Sequence, residues 1–313
     1  MLSDINYTLN IKDIKSMKAI LKIQSVALKA IHDFFEEENF IQLLPVMLSR
    51  YTDPLLDGDK KLEPAEINYN GQKLKLTQSM ILQKQVAIGL GIERLFVVSP
   101  NIRLELPELA KSQNHCFEFT QIDFEIANAQ LNDIFKFVER LLRRVRIDVI
   151  SKAENELKTL NRDLGEWNES FPILTSHDLI VEYGESWKEE TKLDYTTPIW
   201  IVCHDRNFYD RVDRSTKGMH IENFDLYYPE GFGGAMSGGE REFNYQNLLY
   251  RMKEKEINRF EFSEYLLIAE KNGLRPSAGG GLGVERLVRY LSGFRDIGDV
   301  QLFKRIPGNT IKL

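Results

Sequence analysis

The segment Gly279-Gly280-Gly281-Leu282-Gly283-Val284-Glu285-Arg286 places an arginine directly after a nearly bare stretch of backbone. Glycine lets a ligand approach the main chain closely, and arginine offers a permanent charge with planar donors. This combination suits a nucleotide phosphate or a purine face. The spacing is not that of a dinucleotide-binding or P-loop pattern. Taken alone, a glycine-rich turn before a helix, with Arg286 in solvent, is a slightly simpler interpretation.

The composition is that of an ordinary globular protein. The 313 residues are 42% hydrophobic and 28% charged, with a formal net charge of -6. This acidic balance argues against a protein whose main task is to coat nucleic acid. Two cysteines are too few for a disulfide framework or a four-cysteine zinc site. Because the sequence has neither a signal-peptide pattern nor a run of about eighteen apolar residues, we expect a cytoplasmic protein without membrane contact.

Hydrophobic spacing predicts helices and strands along most of the chain. A repeat of three or four predicts a helix over residues 17–39, followed by a strand over 40–44 that Pro45 ends. Another helix is predicted to begin near Met80, and further helices are predicted over 132–149, 245–255 and 263–272. Besides the strand over 40–44, strands are predicted at five places: 95–98, 102–106, 115–125, 198–202 and 223–228.

The predicted strand over residues 115–125 has an unusual composition. Period-two alternation places five side chains on one face: Phe117, Phe119, Gln121, Asp123 and Glu125. In the preceding predicted strand, Arg103 and Glu105 share a face. Because ionisable groups on a sheet need partners or solvent, either a water-facing sheet with ion pairs or a site for a charged ligand explains the pattern.

Three ordered segments together resemble the signature motifs of class II aminoacyl-tRNA synthetases. They are the helix and strand ending in Pro45, the strands that carry Arg103 and Glu105, and the glycine strand before Arg286. The stretches LTQSMILQKQ (76–85), HCFEFTQID (115–123) and SGGERE (237–242) resemble the aspartyl and asparaginyl branch. The resemblance runs from about residue 17 to residue 306. It implies one α+β domain over 1–313, with a six- or seven-stranded antiparallel sheet flanked by helices, and a homodimer formed through residues 17–45.

A catalytic core near the start of the chain affects the expected partner. Synthetases of this branch carry an N-terminal anticodon-binding barrel, whereas the first motif begins here near Met17, so we expect no such barrel and no tRNA partner. The core most resembles the archaeal asparagine synthetase related to asparaginyl-tRNA synthetase. That resemblance implies synthesis of asparagine from aspartate and ammonia through an aspartyl-adenylate, with release of AMP and pyrophosphate. A minimal aspartyl- or asparaginyl-tRNA ligase and a non-catalytic adenylate-binding paralogue are the alternatives.

The resemblance also implies an ATP site. Arg103 would neutralise the α-phosphate and the entering carboxylate, and Arg286 would hold the γ-phosphate end and one adenine face. The other implied ATP-binding positions are Glu105, His115, Phe119 and Gly283. Magnesium would share the phosphate charge, with Asp225 and Glu240 as its candidate ligands. Gly234 stands where the family has a metal-binding glutamate, so we expect magnesium to bind more weakly.

The implied amino-acid site contains two cations. Lys84 and Arg241 match positions that hold the side-chain carboxylate of aspartate, and Asp123 matches one that receives the amino group. Since a neutral amide has little use for two cations, the pair favours aspartate over asparagine. Ile81 replaces a glutamine of the aspartyl enzymes, which removes one substrate contact and leaves open whether the α- or the β-carboxylate is activated. The remaining implied substrate contacts are Ser79 and Gln121.

Overall fold

An eight-stranded sheet organises the computed structural model, which describes residues 13–57, 60–184, 187, 195–215 and 220–309. The strands are β1 (Ile41–Leu43), β2 (Leu48–Ser49), β3 (Leu56–Asp57), β4 (Lys60–Lys61), β5 (Glu66–Tyr69), β6 (Gln72–Leu76), β7 (Arg94–Ile102), β8 (Glu118–Ala127), β9 (Ile173–Thr175), β10 (Ile199–Val202), β11 (Val212–Asp213), β12 (His220–Ile221), β13 (Asn223–Tyr228), β14 (Gly233–Glu240) and β15 (Ser277–Gly283). The order across the large sheet is β1-β7-β8-β15-β14-β13-β10-β9. The helices are α1 (Ile14–Glu37), α2 (Ile81–Gly89), α3 (Leu131–Lys152), α4 (Glu154–Thr159), α5 (Ser176–Tyr183), α6 (Tyr245–Glu254), α7 (Ser263–Glu270) and α8 (Val284–Ser292).

The sheet is antiparallel in its centre and parallel at its edges. The six strands from β7 to β10 pair antiparallel, whereas β1 pairs parallel with β7 and β9 pairs parallel with β10. The predicted α+β fold with an antiparallel sheet flanked by helices is therefore confirmed. The predicted six or seven strands fall short of the observed eight, and the edge strand β9, with only three residues, lies where the sequence pattern predicts no strand.

The predicted strand over residues 102–106 is wrong. One continuous strand, β7, instead pairs with β8 as far as Ile102. Beyond it, the N–H of Glu105 donates to the carbonyl of Arg103 at 2.7 Å, which turns the chain before Pro107. Leu104 and Leu106 are 51% and 53% exposed, so their alternation does not reflect a buried strand face. Arg103 and Glu105 consequently lie in the loop that follows β7.

The two faces of the sheet have different chemistry. Ile122 and Phe124 of β8 belong to the main apolar core, together with the buried residues of α1, α3 and α8. In that core the rings of Phe35 and Phe96 stack with centroids 4.6 Å apart. The alternate residues of β8 must therefore face the other side of the sheet, as period two predicts. We call that side the site face.

Two further expectations from the sequence concern membranes and disulfides. Among the helices of the described residues, none is long and apolar enough to cross a bilayer. Cys116 is buried and Cys203 is half-buried, and both are free thiols.

Candidate active site

Glycines of β15 lie opposite the polar side chains of β8 on the site face. Gly279 is in register with Glu125, Gly281 with Asp123, and Gly283 with Gln121. A Cβ atom at Gly281 would lie 2.7 Å from Nε2 of Gln121 and one at Gly279 would lie 2.5 Å from Oε2 of Glu125. Such contacts are too short for real side chains. The glycines thus make room for the polar side chains of Glu125 and Gln121.

Lys84 extends from α2 to the polar face of β8. Its side chain is 1% exposed, and Nζ lies 2.5 Å from Oδ1 of Asp123 and 3.3 Å from Oε2 of Glu125. Nζ also donates to the carbonyl of Phe124 at 3.0 Å. Because an unpaired buried ammonium is costly, these partners account for its burial. The structure thus pairs Lys84 and Asp123 with each other, and their implied contacts with the substrate stay predictions.

Arg241 reaches the same group from the end of β14. Its Nε and Nη2 donate to the two carboxylate oxygens of Glu125 at 2.9 and 3.2 Å, and the hydroxyl of Ser277 donates to Oε1 at 3.0 Å. Burial alone would raise the pKa of Glu125, but Arg241 and Lys84 outweigh it and hold that pKa below its usual value. The four charges of Lys84, Arg241, Asp123 and Glu125 form a buried group that we call the charge cluster.

The charge cluster has unused hydrogen-bonding capacity. Oδ2 of Asp123 is buried and accepts no hydrogen bond from the described residues. Arg241 donates from Nε and Nη2 to Glu125, and its Nη1 has no hydrogen-bond partner among the residues that the structure describes. An unsatisfied buried acceptor costs free energy unless a ligand pairs with it. An acceptor and a cationic donor side by side suit a ligand that carries both an ammonium and a carboxylate.

Arg103 lies immediately after β7 and is half-buried. Its Nε and Nη2 both donate to the carbonyl of Gln78 at 3.2 Å, and its guanidinium lies 5.0 Å from the centre of the Phe119 ring. Burial lowers the pKa of Arg103 below its usual value, against the effect of the Asp53 and Glu105 carboxylates. Arginine stays protonated in proteins, so Arg103 brings a fixed positive charge to the edge of the sheet where β7 ends.

Arg286 lies in the first turn of α8. Nη1 is 3.4 Å from the carbonyl of Gly234, and Nη2 is 3.5 Å from the carbonyl of Asn114. These are long hydrogen bonds, and no carboxylate among the described residues pairs with Arg286. Its charge is therefore available to an anion, which agrees with its implied role at the outer phosphates.

The other implied ligand contacts are arranged around these arginines. Nδ1 of His115 lies 2.6 Å from the hydroxyl of Ser112, and Gln121 accepts a hydrogen bond from Asn101 at 2.6 Å. The hydroxyl of Ser79 accepts from the N–H of Ile81 at 3.3 Å. Gln121 is thus tied to a neighbouring strand, and its implied substrate contact stays a prediction, like the roles of Glu105, His115, Ser79 and Gly283.

The two candidate metal ligands do not meet. Asp225 faces Ser237 across the β13–β14 pair, on the site face. Glu240 lies three residues after Ser237 in β14, so its side chain points to the opposite face of the sheet. On that face it pairs with Arg211 at 2.7 Å and accepts a hydrogen bond from the N–H of Leu131 at 3.1 Å. The described residues contain no group of three or more histidine, cysteine or acidic side chains placed to hold a metal ion. These residues do not fit the magnesium that the resemblance implies.

Asp53 is a site residue that the sequence pattern does not reveal. Its side chain is buried, and it accepts a hydrogen bond from the hydroxyl of Tyr209 at 2.9 Å. Burial raises the pKa of Asp53, whereas the charge of Arg103 lowers it. In the sequence, Asp53 is simply an acidic residue before Pro54 in a loop, with no spacing that would single it out.

Glu285 precedes Arg286 and introduces a pH dependence. Both of its carboxylate oxygens lie 3.0 Å from the N–H of Thr120, yet burial raises the pKa of Glu285 from 4.5 to about 7. Because the folded pKa exceeds the unfolded one, the folded state holds an extra proton between these values. The neutral carboxyl of Glu285 contributes its full stabilisation of the folded state below pH 4.5. This contribution is lost as the pH rises through about 7, and the loss in the free energy of unfolding is at most about 3 kcal/mol.

We expect Glu285→Gln to remove this pH dependence. An amide oxygen can still accept from Thr120 but does not titrate, so the free energy of unfolding should fall less between pH 5 and pH 8 than in the wild type. Urea denaturation at both pH values measures the difference. Glu264→Gln, on a side chain that is 55% exposed, is the matched control. Equal pH slopes for Glu285→Gln and the wild type would contradict the raised pKa.

Two arginines, Arg103 and Arg286, follow the ends of β7 and β15 on the same edge of an antiparallel sheet, and this arrangement agrees with a known family. The model of the class II tRNA synthetases (D, K and N) matches residues 5–307. The chain belongs to this class II synthetase family. The letters denote aspartate, lysine and asparagine, so the family assignment agrees with the branch that the sequence resembles.

Relatives within the class II synthetase family include enzymes for both aspartate and asparagine. The chain is 30% identical over 303 residues to an aspartate–tRNA(Asp/Asn) ligase of Methanopyrus kandleri, covering 92% of the chain and 68% of the relative. It is 26% identical to an asparagine–tRNA ligase of Thermoplasma acidophilum, covering 88% and 66%. The chain thus spans about two thirds of the length of these relatives. Because both act on tRNA, they lend no support to the expectation that tRNA is not a partner.

Solved structures of the class II synthetase family confirm the fold. An asparaginyl-tRNA synthetase of Pyrococcus horikoshii, complexed with asparaginyl-adenylate, is similar with a TM-score of 0.82 at 22% identity, covering 95% of this chain and 70% of that one. An asparaginyl-tRNA synthetase of Entamoeba histolytica, also with asparaginyl-adenylate, has a TM-score of 0.81.

Proposed function

We propose that this chain is a ligase that activates aspartate with ATP to form aspartyl-adenylate. The charge cluster carries the proposal. Oδ2 of Asp123 has no hydrogen-bond partner among the described residues, and it would accept from the ammonium of the amino acid. Although Lys84 and Arg241 are paired with Asp123 and Glu125, Nη1 of Arg241 would donate to a substrate carboxylate, which would favour aspartate over asparagine.

The proposed reaction needs charge stabilisation more than it needs proton transfer. A carboxylate oxygen of aspartate attacks the α-phosphorus of ATP, the bond between that phosphorus and the bridging oxygen breaks, and pyrophosphate leaves. Negative charge develops on the phosphate oxygens during this step. Arg103 and Arg286 provide fixed cations for that charge, since such preorganised donors lower the barrier most.

The acceptor of the aspartyl group is proposed from the relatives. Two of them are tRNA ligases, so a hydroxyl of tRNA that displaces AMP is the first candidate. Ammonia, giving asparagine, is the second candidate. Ile81 is 4% exposed and belongs to an apolar cluster with Leu82 and Phe208, so it offers no polar contact to the amino acid and does not distinguish the two acceptors.

One experiment tests the activation and distinguishes the acceptors. Exchange of labelled pyrophosphate into ATP is measured with aspartate or asparagine as substrate, and the protein is then incubated with aspartate, ATP and either tRNA or ammonium. Aspartate-dependent exchange supports the proposed activation. Aspartyl-tRNA identifies the first acceptor and asparagine with AMP the second. An absence of exchange with aspartate would refute the proposed function.

We also propose that the chain forms a homodimer through β1 and the segment that follows it. Ile41 and Leu44 are 54% and 87% exposed, and the apolar side chains of Val46 and Leu48, which follow in the chain, are also exposed. Sedimentation should give twice the mass of the chain. Replacing Leu44 by aspartate should shift the equilibrium toward monomer, whereas a wild-type monomer would contradict the proposed dimer.

A further inference from the structure

Asp225 lies where the family resemblance implies a metal ligand, but its surroundings differ from a metal site. Gly234, on the neighbouring strand β14, has no side chain to act as a second ligand. The carbonyl oxygen of Gly234 is 3.4 Å from Nη1 of Arg286, which we propose to bind the outer phosphates. This part of the site face therefore adjoins the polyphosphate of a bound nucleotide.

Arg206 occupies the position beside Asp225. Its Nη1 lies 2.6 Å from Oδ1 of Asp225, and its Nη2 donates to the carbonyls of Gly238 at 2.8 Å and Phe224 at 3.4 Å. Nε lies 3.8 Å from Oδ2 of Asp210. Burial alone would lower the pKa of Arg206, but Asp225 and Asp210 raise it above its usual value. The guanidinium is thus charged and held in one orientation from several sides.

A divalent cation at Asp225 would meet a like charge and lack ligands. Nε2 of His204 lies 3.4 Å from the second oxygen of Asp225, so the carboxylate faces nitrogen groups on both sides. Glu230, the nearest acidic residue to Gly234 in sequence, forms a bidentate pair with Arg162 at 2.6 and 3.1 Å. Magnesium prefers oxygen ligands in octahedral geometry, which this arrangement does not offer.

We propose that Arg206 supplies the positive charge beside Asp225 in place of a divalent cation, so that this chain binds ATP without a metal ion at Asp225. The proposal rests on the proposed ATP-binding function. An aspartate paired with one guanidinium is neutral, so the charge of Asp225 is balanced without a dication. Nη1 of Arg206 has a second hydrogen, which can donate to a phosphate oxygen.

Nucleotide binding with and without magnesium tests this proposal. Binding of a non-hydrolysable ATP analogue to the full chain is measured by calorimetry in Mg²⁺ or in EDTA at constant ionic strength. The wild type should bind with similar affinity in both. Arg206→Ala should weaken binding in EDTA by about tenfold, the loss of one charge-assisted contact, and Mg²⁺ should recover part of the loss because Asp225 becomes available. Arg206→Lys, which keeps the charge, should retain most of the binding in EDTA.

Arg211→Ala is the matched control for these variants. Arg211 lies close to Arg206 in sequence, but its partner Glu240 points away from the site face. The nucleotide affinity of Arg211→Ala should therefore match that of the wild type in both buffers. A wild type that binds the analogue only with Mg²⁺ would overturn this inference and leave the proposed function intact. An Arg206→Ala protein with wild-type affinity in EDTA would also overturn it. A wild type that binds under neither condition would refute both proposals.

Discussion

Replacing Arg103 by lysine should lower aspartate-dependent pyrophosphate exchange by about 10²- to 10³-fold, the usual cost of losing one transition-state donor. Arg103 uses two nitrogens on the carbonyl of Gln78, which orients its guanidinium, and Phe119 covers one face of that group. A lysine keeps the charge but cannot hold the carbonyl with two donors and also reach a phosphate. The loss should appear in kcat more than in the KM for aspartate.

Two controls separate this catalytic effect from a loss of folding. Arg50→Lys alters an arginine whose side chain is 61% exposed and which pairs with Glu264, so exchange should be unchanged. The thermal transition of the Arg103→Lys protein should stay cooperative, because only hydrogen bonds to one carbonyl are lost. If the variant keeps an exchange rate within about threefold of the wild type, the loss is smaller than that expected for one charge-assisted hydrogen bond. That result would rule out the proposed role of Arg103.

Replacing Arg241 by methionine should lower the free energy of unfolding by about 3–5 kcal/mol, as expected when one partner of a buried ion pair is removed. The Glu125 side chain has no exposed surface and would lose both of its hydrogen bonds to the guanidinium. Lys84 is already shared with Asp123, so it cannot fully compensate. Urea denaturation measures the loss, and aspartate-dependent exchange should disappear as well.

A double variant separates stability from substrate binding. Arg241→Met combined with Glu125→Met should regain most of the lost stability, because no uncompensated charge of this pair stays buried, while exchange stays absent. Arg214 has a side chain that is 45% exposed and pairs with Glu254. Arg214→Met should therefore lower the free energy of unfolding by less than about 1 kcal/mol. If Arg241→Met costs no more than this control, the charge cluster does not stabilise the fold as described.

The fold and one wall of the site follow from local sequence patterns. Strict alternation in β8 predicts that Asp123 and Glu125 share a face, because side-chain direction in a strand depends only on position parity. The helix periods likewise predict α1 and α3, with ends shifted by a few residues. The end of β7 was missed because the turn at Arg103 depends on a backbone hydrogen bond that no residue pattern encodes.

The partners within the site depend on tertiary contacts and could not be predicted in the same way. Arg206 lies in a loop, and its carboxylate partner Asp225 comes nineteen residues later, on a strand; only the folded chain joins them. The same holds for Asp53 and Tyr209, which are separated by 156 residues.

The bare strand β15 limits how the specificity of this protein can be redesigned. Enlarging a binding pocket usually means shortening a side chain on its wall, yet Gly279, Gly281 and Gly283 have nothing left to shorten. Any larger residue at Gly279 or Gly281 would collide with Glu125 or Gln121. A library aimed at new amino-acid substrates should therefore leave this strand unchanged and vary α2 and the loops after β7 and β14, where side chains can still be exchanged.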